Sequence, residues 1–233
     1  MTKRSIWIGL AVLVLALASG RSTKADSVTT FTTTGSSCSG CPAATYELTF
    51  DNTSGNIFTV TLEITYSASA TIGSNDNQVS AVAFDMGTLT TLGTLTTAPG
   101  GASNWTTSQN GISSSNSAAS CTNNGANFEC SQQNFNGSGQ LLDLAPVTDG
   151  GTLKWVWTGV AGTLTESDFH IGAKYNSSTC MSDTTNCTSG LIISDSSGTI
   201  TTTSASEPAS LAILGAGLFG VAGLVRRRLS ANS

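Results

Sequence analysis

Charged residues are scarce in this chain of 233 residues: Asp, Glu, Lys and Arg together make up 10%, against about 25% in an average soluble domain. Between positions 26 and 205, Lys154 and Lys174 are the only basic residues and stand against thirteen carboxylates, so the net charge of this segment is −11. Such an acidic segment repels phosphate backbones, which argues against nucleic acid as a partner. The low charge also argues against a cytosolic helical enzyme.

Histidine is nearly absent, since His170 is the only one. The alternation of Phe169, His170 and Ile171 along an extended segment predicts that His170 faces away from its two neighbours, as a solvent-side or hydrogen-bonded side chain. No Gly-x-Ser-x-Gly elbow accompanies it, and the spacing of the carboxylates pairs no two of them as a glycosidase requires. We therefore expect no catalytic residues, no enzyme activity and no cofactor.

Hydroxyl residues are abundant, with 34 Ser and 36 Thr. The segment from Ile57 to Tyr66 alternates apolar residues with Thr and Glu, the period of a half-buried strand, and a polar turn separates it from an apolar segment ending at Phe50. The two segments predict a hairpin. The first strand of this hairpin is expected at Tyr46 to Phe50. Six further strands are expected at Val79 to Asp85, Thr88 to Thr96, Thr152 to Val160, Phe169 to Tyr175, Leu191 to Ser194 and Gly198 to Thr203.

Short strands separated by Gly, Asn and Asp favour an all-β fold, an antiparallel β-sandwich or jelly-roll-like domain over residues 26–205. The stretch from Thr29 to Ser37 is interpreted as a low-complexity lead. The stretch from Pro99 to Gln140 is poor in apolar residues and predicts long loops.

The six cysteines fall in three close pairs: Cys38 and Cys41, Cys121 and Cys130, Cys180 and Cys187. An even number in an oxidising compartment indicates disulfides, and the grouping favours a local bridge within each pair. The first pair also has the spacing of a redox Cys-x-x-Cys motif, but it lies in a Ser/Gly-rich stretch and does not open a helix. A zinc site requires two such pairs, so we expect no metal there.

Three tryptophans are candidate ligand-binding aromatics. Trp155 and Trp157 alternate onto one face of a strand, where they are expected to form a core layer, although exposed rings there could stack on a sugar. Trp105 lies in a predicted loop and is the better candidate for an exposed ring. Calcium is conceivable at Asn75 to Asn77 or Asp195 to Gly198, but such clusters are ordinarily turns.

The N-terminus has the pattern of a secretory signal peptide over residues 1–25. Lys3 and Arg4 precede an apolar run from Ile6 to Ala18, which is too short for a comfortable membrane span. Cleavage is expected between Ala25 and Asp26; cleavage after Ala18 and retention as an uncleaved anchor are the alternatives.

The C-terminus combines three features over residues 206–228. Ser206, Glu207 and Pro208 precede an uncharged, mostly apolar segment at 209–225, which as a helix is roughly 25 Å long, the lower limit for crossing a bilayer. Arg226, Arg227 and Arg228 follow it. The positive-inside rule leaves these arginines and the tail at 229–233 in the cytoplasm, with the β domain outside.

This C-terminal segment closely resembles the PEP-CTERM sorting signal of Gram-negative bacteria, in which a Pro-Glu-Pro motif precedes an apolar helix and an arginine cluster. Glu207 and Pro208 match the second and third motif positions, while Ser206 stands where the first proline is usual. The resemblance implies recognition and cleavage by a membrane-embedded exosortase, transfer to the cell surface or medium, and association with exopolysaccharide or biofilm matrix. It covers about a tenth of the chain and implies nothing about the fold of the β domain.

The expected function is therefore that of an exported, noncatalytic surface or matrix protein. Its partners would be the secretion machinery, the exosortase, the inner membrane as a transient or permanent anchor, and exopolysaccharide. The alternative is a carbohydrate-binding or adhesive β-sandwich that is permanently anchored by a single C-terminal span. The exposure of the three tryptophans would separate the two.

Overall fold

The computed structural model describes residues 27–35, 38, 41–68, 77–113, 121–122, 125, 127–177 and 191–204. These residues form twelve strands and two short 3₁₀ turns, at Ala102–Asn104 and Glu166–Asp168. The strands are β1 (Ser27–Thr33), β2 (Ala44–Ser54), β3 (Ile57–Tyr66), β4 (Gln78–Asp85), β5 (Gly87–Thr91), β6 (Thr94–Thr97), β7 (Trp105–Ser108), β8 (Phe128–Gln133), β9 (Thr152–Leu164), β10 (His170–Asn176), β11 (Leu191–Asp195) and β12 (Thr199–Ser204).

The strands form two antiparallel sheets that pack face to face. The first sheet has seven strands in the order β12-β1-β2-β3-β9-β5, with β6 also pairing with β9; the second has the order β11-β10-β4-β8-β7. The prediction of an all-β antiparallel sandwich is therefore confirmed. Among the described residues, no helix is long and apolar enough to cross a membrane.

The core between the sheets is built from the apolar residues that alternate along the strands. Aromatic rings join the two layers: Phe50 of β2 packs edge-on against Phe84 of β4 and stacks on Phe169 beside β10, with ring centroids 6.0 and 5.0 Å apart. Trp157 of β9 also packs edge-on against Phe84, at 5.1 Å. Each of these rings contacts a ring of the opposite sheet. The face of each sheet toward which these apolar residues alternate is therefore the buried face.

Most predicted strands are present, and the hairpin of β2 and β3 pairs in register over nearly its whole length. The expected strand from Thr88 to Thr96 is instead two strands, β5 and β6, which are separated at Leu92 and Gly93 and pair in succession along the same side of β9. Each of these short strands contains one residue, Thr90 in β5 and Thr96 in β6, at which its pairing register with β9 shifts.

Two sequence predictions are wrong. The supposed lead from Thr29 to Ser37 begins with β1, because Thr29, Phe31 and Thr33 alternate inward and pair with β2 and β12. The supposed loops from Pro99 to Gln140 include β7 and β8, and β8 lies inside the second sheet between β4 and β7. β8 was missed because the side chains that it buries are polar.

Strand β9 contains a bulge at Gly159. Phe58 of β3 pairs with Val160 and the next residue, Thr59, pairs with Thr158, so Gly159 is the extra residue. Its φ of 75° lies in the left-handed region, where a Cβ is unfavourable. The bulge returns Val160 to the core after Trp157, two residues that strict alternation would place on opposite faces.

Replacing Gly159 with alanine is expected to destabilise the sandwich by about 1–2 kcal/mol through backbone conformation alone. A Cβ at this position meets no atom within 4 Å, so no steric clash contributes. Chemical denaturation followed by tryptophan fluorescence measures the free energy of unfolding. Gly137→Ala is the matched control, because its added Cβ also meets nothing within 4 Å and no positive φ applies. Equal stability of the two variants would contradict this explanation of the bulge.

Candidate functional site

The three candidate tryptophans all lie in the core. Trp155 and Trp157 have no solvent exposure, as expected for a core layer, and Trp105 is only 6% exposed. Trp105 lies on β7 rather than in a loop, packs edge-on against Trp155 at 5.5 Å, and donates its Nε1–H to the carbonyl of Pro99 at 2.9 Å. None of these rings presents a face on which a sugar could stack.

His170 lies on the outer face of the second sheet, opposite the buried side chains of Phe169 and Ile171, as the alternation predicts. Its Nε2 lies 2.6 Å from the Ser194 hydroxyl of the neighbouring strand β11, and its ring packs edge-on against Phe128. Burial lowers the pKa of His170, while the charge of Asp195 acts in the opposite direction. His170 is thus a residue of β10 whose side chain is hydrogen-bonded to the neighbouring strand β11.

Strand β8 presents three polar side chains to the interior of the sandwich: Glu129, Ser131 and Gln133, all fully buried. Each has partners in other elements, as buried polar groups require. Ser131 accepts the Nε1–H of Trp157 at 3.0 Å, and Gln133 donates to the Val79 carbonyl at 2.6 Å. These three residues form what we call the β8 polar stripe.

Glu129 is the ionisable member of the β8 polar stripe. Both of its carboxylate oxygens accept from the backbone N–H of Gly93, at 3.0 and 3.1 Å, in the connection between β5 and β6 on the opposite sheet. Burial raises the pKa of Glu129 to about 7, and the hydrogen bond from Gly93 offsets only part of that effect. A carboxyl group that changes charge near neutral pH therefore lies between the two sheets.

A second, smaller apolar cluster covers the outer face of the second sheet. The Cys121–Cys130 disulfide packs there on Ala81 and Ala83, with Ile112 and Phe128 at its margin. The other disulfide in the described residues joins Cys38 and Cys41. Both bridges have the local pairing predicted from the sequence, and both cysteines of the third predicted pair, Cys180 and Cys187, lie outside the described residues.

Lys174 is buried on this same outer face, and its Nζ donates to the carbonyl of Ser113 at 3.2 Å. Burial lowers its pKa to about 8. Lys154, the other lysine of the β domain, is exposed on the opposite sheet and pairs with Glu63 at 2.7 Å. The two lysines therefore lie on the outer faces of different sheets and do not form one basic surface.

The three tyrosines of the chain meet inside one end of the sandwich. The Tyr175 hydroxyl lies 2.5 Å from that of Tyr46 and 3.3 Å from that of Tyr66. Burial raises the pKa of all three phenols, so they remain neutral. Beside Tyr66, a shallow surface cleft of about 360 Å³ is lined mainly by Thr, Ser and Ala side chains, with no ionisable group other than the tyrosine.

Asp195, one of the residues considered for calcium, has a structural role. Its carboxylate accepts from the Thr33 hydroxyl at 2.6 Å, which joins the two sheets, and from the backbone N–H of Ser197 at 2.8 Å, which closes a turn. In the part of the chain that the structure describes, no three His, Cys, Asp or Glu side chains are grouped as metal ligands. The other candidate, Asn75 to Asn77, is described only at Asn77.

The first and last strands of the sandwich are neighbours. β1 and β12 pair antiparallel, so that Ser27 lies opposite Ser204. The predicted signal-peptide cleavage site at Ala25 and Asp26, the motif residues Ser206, Glu207 and Pro208, the segment 209–225 and Arg226, Arg227 and Arg228 lie outside the described residues. The first and last described residues of the sandwich are therefore paired with each other.

Comparison with known proteins assigns no relationship: no family model, no curated protein and no solved structure matches this chain. The function must be argued from the residues themselves.

Unfolding free energy is expected to fall as pH rises from 5 to 8 because of Glu129. Its folded pKa of about 7 exceeds the ordinary value of 4.5, so its contribution is complete below pH 4.5 and is lost as pH rises through 7, a change of about 3 kcal/mol. Glu129→Gln should remove this component. Chemical denaturation of both proteins across the pH range measures the difference.

The control for this experiment is Glu166→Gln, which removes one carboxylate from an exposed position. The parent and both variants retain His170, whose lowered pKa contributes in the opposite direction below pH 6.5, so that contribution cancels in the comparison. Identical pH profiles for the parent and Glu129→Gln would show that Glu129 does not titrate in this range.

Proposed function

We propose that this protein is an exported, noncatalytic surface or matrix protein whose residues 206–228 act as a sorting signal of the PEP-CTERM type. The signal peptide directs it across the inner membrane, and the C-terminal helix holds it there until an exosortase removes the signal. Its working place is the cell surface or medium, in association with exopolysaccharide.

One observation carries the proposal: all twelve described strands lie between the two predicted export signals. β1 begins at Ser27, two residues after the expected cleavage position, and β12 ends at Ser204, two residues before the motif. Ser27 and Ser204 are paired, so the first residue of β1 and the last residue of β12 lie side by side. Removing either signal would therefore leave every strand that the structure describes intact.

The disulfides support the compartment. Cys38–Cys41 and Cys121–Cys130 both occur in the domain that the proposal places outside the inner membrane, and such bonds persist in oxidising environments. Each bridge closes a short loop, so each restrains a local turn more than it stabilises the whole fold. The Cys121–Cys130 bond joins Cys121, which precedes β8, to Cys130 within β8. It thereby stabilises the smaller apolar cluster on the outer face of the second sheet.

The outer face of the first sheet supports a role at a hydrated surface. One cross-strand row consists of threonines on four adjacent strands: Thr201, Thr30, Thr49 and Thr61 are successive partners. Hydroxyl groups bind water and saccharides without charge, whereas an aromatic platform is missing at the three tryptophans. The proposal therefore assigns matrix association to polar surface contacts and not to a sugar-stacking site.

Two forms of the protein are expected in its native host. The membrane form retains residues up to Ser233, and the form recovered from the surface or medium begins at Asp26 and lacks the segment after about Ser206. Intact-mass spectrometry of both fractions, with sequencing of both termini, measures this, and any excess mass would reveal glycosylation. A surface form that retains Arg226 to Ser233 would instead mean a permanent anchor.

The motif itself is tested by two substitutions with opposite expected effects. Ser206→Pro completes the Pro-Glu-Pro pattern and should increase the fraction of processed protein, whereas Pro208→Ala should cause the unprocessed form to accumulate in the membrane. Ser204→Ala, which changes a residue outside the motif, is the control. Processing that is insensitive to both motif substitutions would contradict recognition of this motif.

A further inference from the structure

The four sheet edges of the sandwich differ in how they are protected against pairing with another chain. An exposed edge strand offers unpaired N–H and C=O groups, and natural proteins limit this by short strands, bulges, prolines or charged side chains, including inward-pointing ones. In the described structure, β7 is four residues long, and β5 and β6 are short and irregular in register. β11 buries the charged residue Asp195 against the other sheet.

Strand β12 has none of these protections. Its sequence, Thr-Ile-Thr-Thr-Thr-Ser, has no charge, proline or glycine, and all its residues except Ile200 are exposed. It pairs with β1 through six consecutive residues without a bulge. Threonine and isoleucine favour extended backbone. β12 is therefore a regular, uncharged edge that is bonded on one side only within the described residues.

We propose that β12 is a self-association edge, which pairs antiparallel with the β12 strand of a second copy of this chain. A two-fold axis perpendicular to the sheet places each strand against itself in reverse, so one short sequence supplies both sides of the interface. Apart from Ile200, the strand consists of Thr and Ser, so the cross-strand pairs without Ile200 are polar and sterically similar. The two seven-stranded sheets would then continue as one sheet across the dimer.

Electrostatics allow a second copy at this edge. The β domain carries a net charge of −11, so two copies repel each other wherever their carboxylates meet. Neither β1 nor β12 contains a charged residue, and the nearest strand of the same sheet with carboxylates is β2, with Glu47 and Asp51. At about 4.8 Å per strand, these groups lie roughly 15 Å from the partner's β12, beyond the screening length of about 8 Å at physiological salt. The Asp195 carboxylate of the second sheet reaches Thr33 of β1, but it is buried and hydrogen-bonded there.

The test uses the full chain, purified in mild detergent, and its variant Thr201→Lys/Thr203→Lys, which places charges on the outer face of the edge. Light scattering that resolves the protein mass is expected to show a concentration-dependent dimer, with self-association on the order of tenfold weaker in the variant. Thr65→Lys/Thr158→Lys is the matched control. It adds the same charge at exposed positions of β3 and β9, and each of these two residues has a partner on both neighbouring strands.

Hydrogen exchange of the unsubstituted chain gives a second, independent readout. Amide protection in β12 should rise with protein concentration, while protection in the central strand β3 should not change. A monomer at every concentration, an equal loss of dimer in both lysine variants, or β12 protection that is independent of concentration would each overturn the proposal. Because lysine substitutions at either site reduce the net negative charge equally, a general charge effect predicts stronger association in both.

Discussion

The structure depends on one constraint: each sheet must bury one face against the other. A single layer of rings spans the interface, where Phe50 and Phe169 stack and Phe84 contacts both Phe50 and Trp157. Full burial of a phenylalanine side chain contributes about 2–3 kcal/mol relative to exposure. The outer face of the first sheet can therefore be made largely of Thr and a few charged residues, because it contributes little to the packing of the sheets.

The same constraint sets strict requirements on polar groups that enter the interior. β8 places Glu129, Ser131 and Gln133 between the sheets, and each is bonded to a group of a different element: the Gly93 amide, the Trp157 indole and the Val79 carbonyl. A buried polar group without a partner costs about 1–3 kcal/mol. These hydrogen bonds thus fix the register of β8. The contribution of Glu129 depends on whether its carboxyl group is protonated.

The sequence predicted the strands whose buried residues are apolar. β3 alternates Phe58, Val60, Leu62 and Ile64 with polar residues, and its bounds are those expected from the pattern. β8 could not be found in this way, since the residues it turns inward are polar and gain their partners only from strands distant in sequence. β1 was missed for a different reason. Its threonines occur on both faces, so the sequence around Phe31 shows no clear alternation of apolar and polar residues.

The candidate site residues show the same contrast between positions that the strand pattern predicts and positions that it does not. The core position of Trp155 and Trp157 and the outward facing of His170 both derive from the two-residue period of a strand, and the structure agrees with it. Trp105 was harder to place, because its environment depends on β8, its pairing partner at Gln133, and on Trp155 of the other sheet. No local pattern in the sequence contains that information.

The pairing of the first strand with the last one links the fold to the proposed sorting. A strand at the edge of a sheet loses hydrogen bonds to one neighbour only, so it can end close to a cleavage site without weakening the interior. β12 buries little of its side-chain surface, and its connection to the core is mainly the ladder to β1 and the half-buried Ile200. An enzyme acting just beyond Ser204 would thus work next to a strand whose side chains, apart from Ile200, are exposed. The same sparse packing leaves the outer edge of β12 available to another strand, so a single element can serve both processing and assembly.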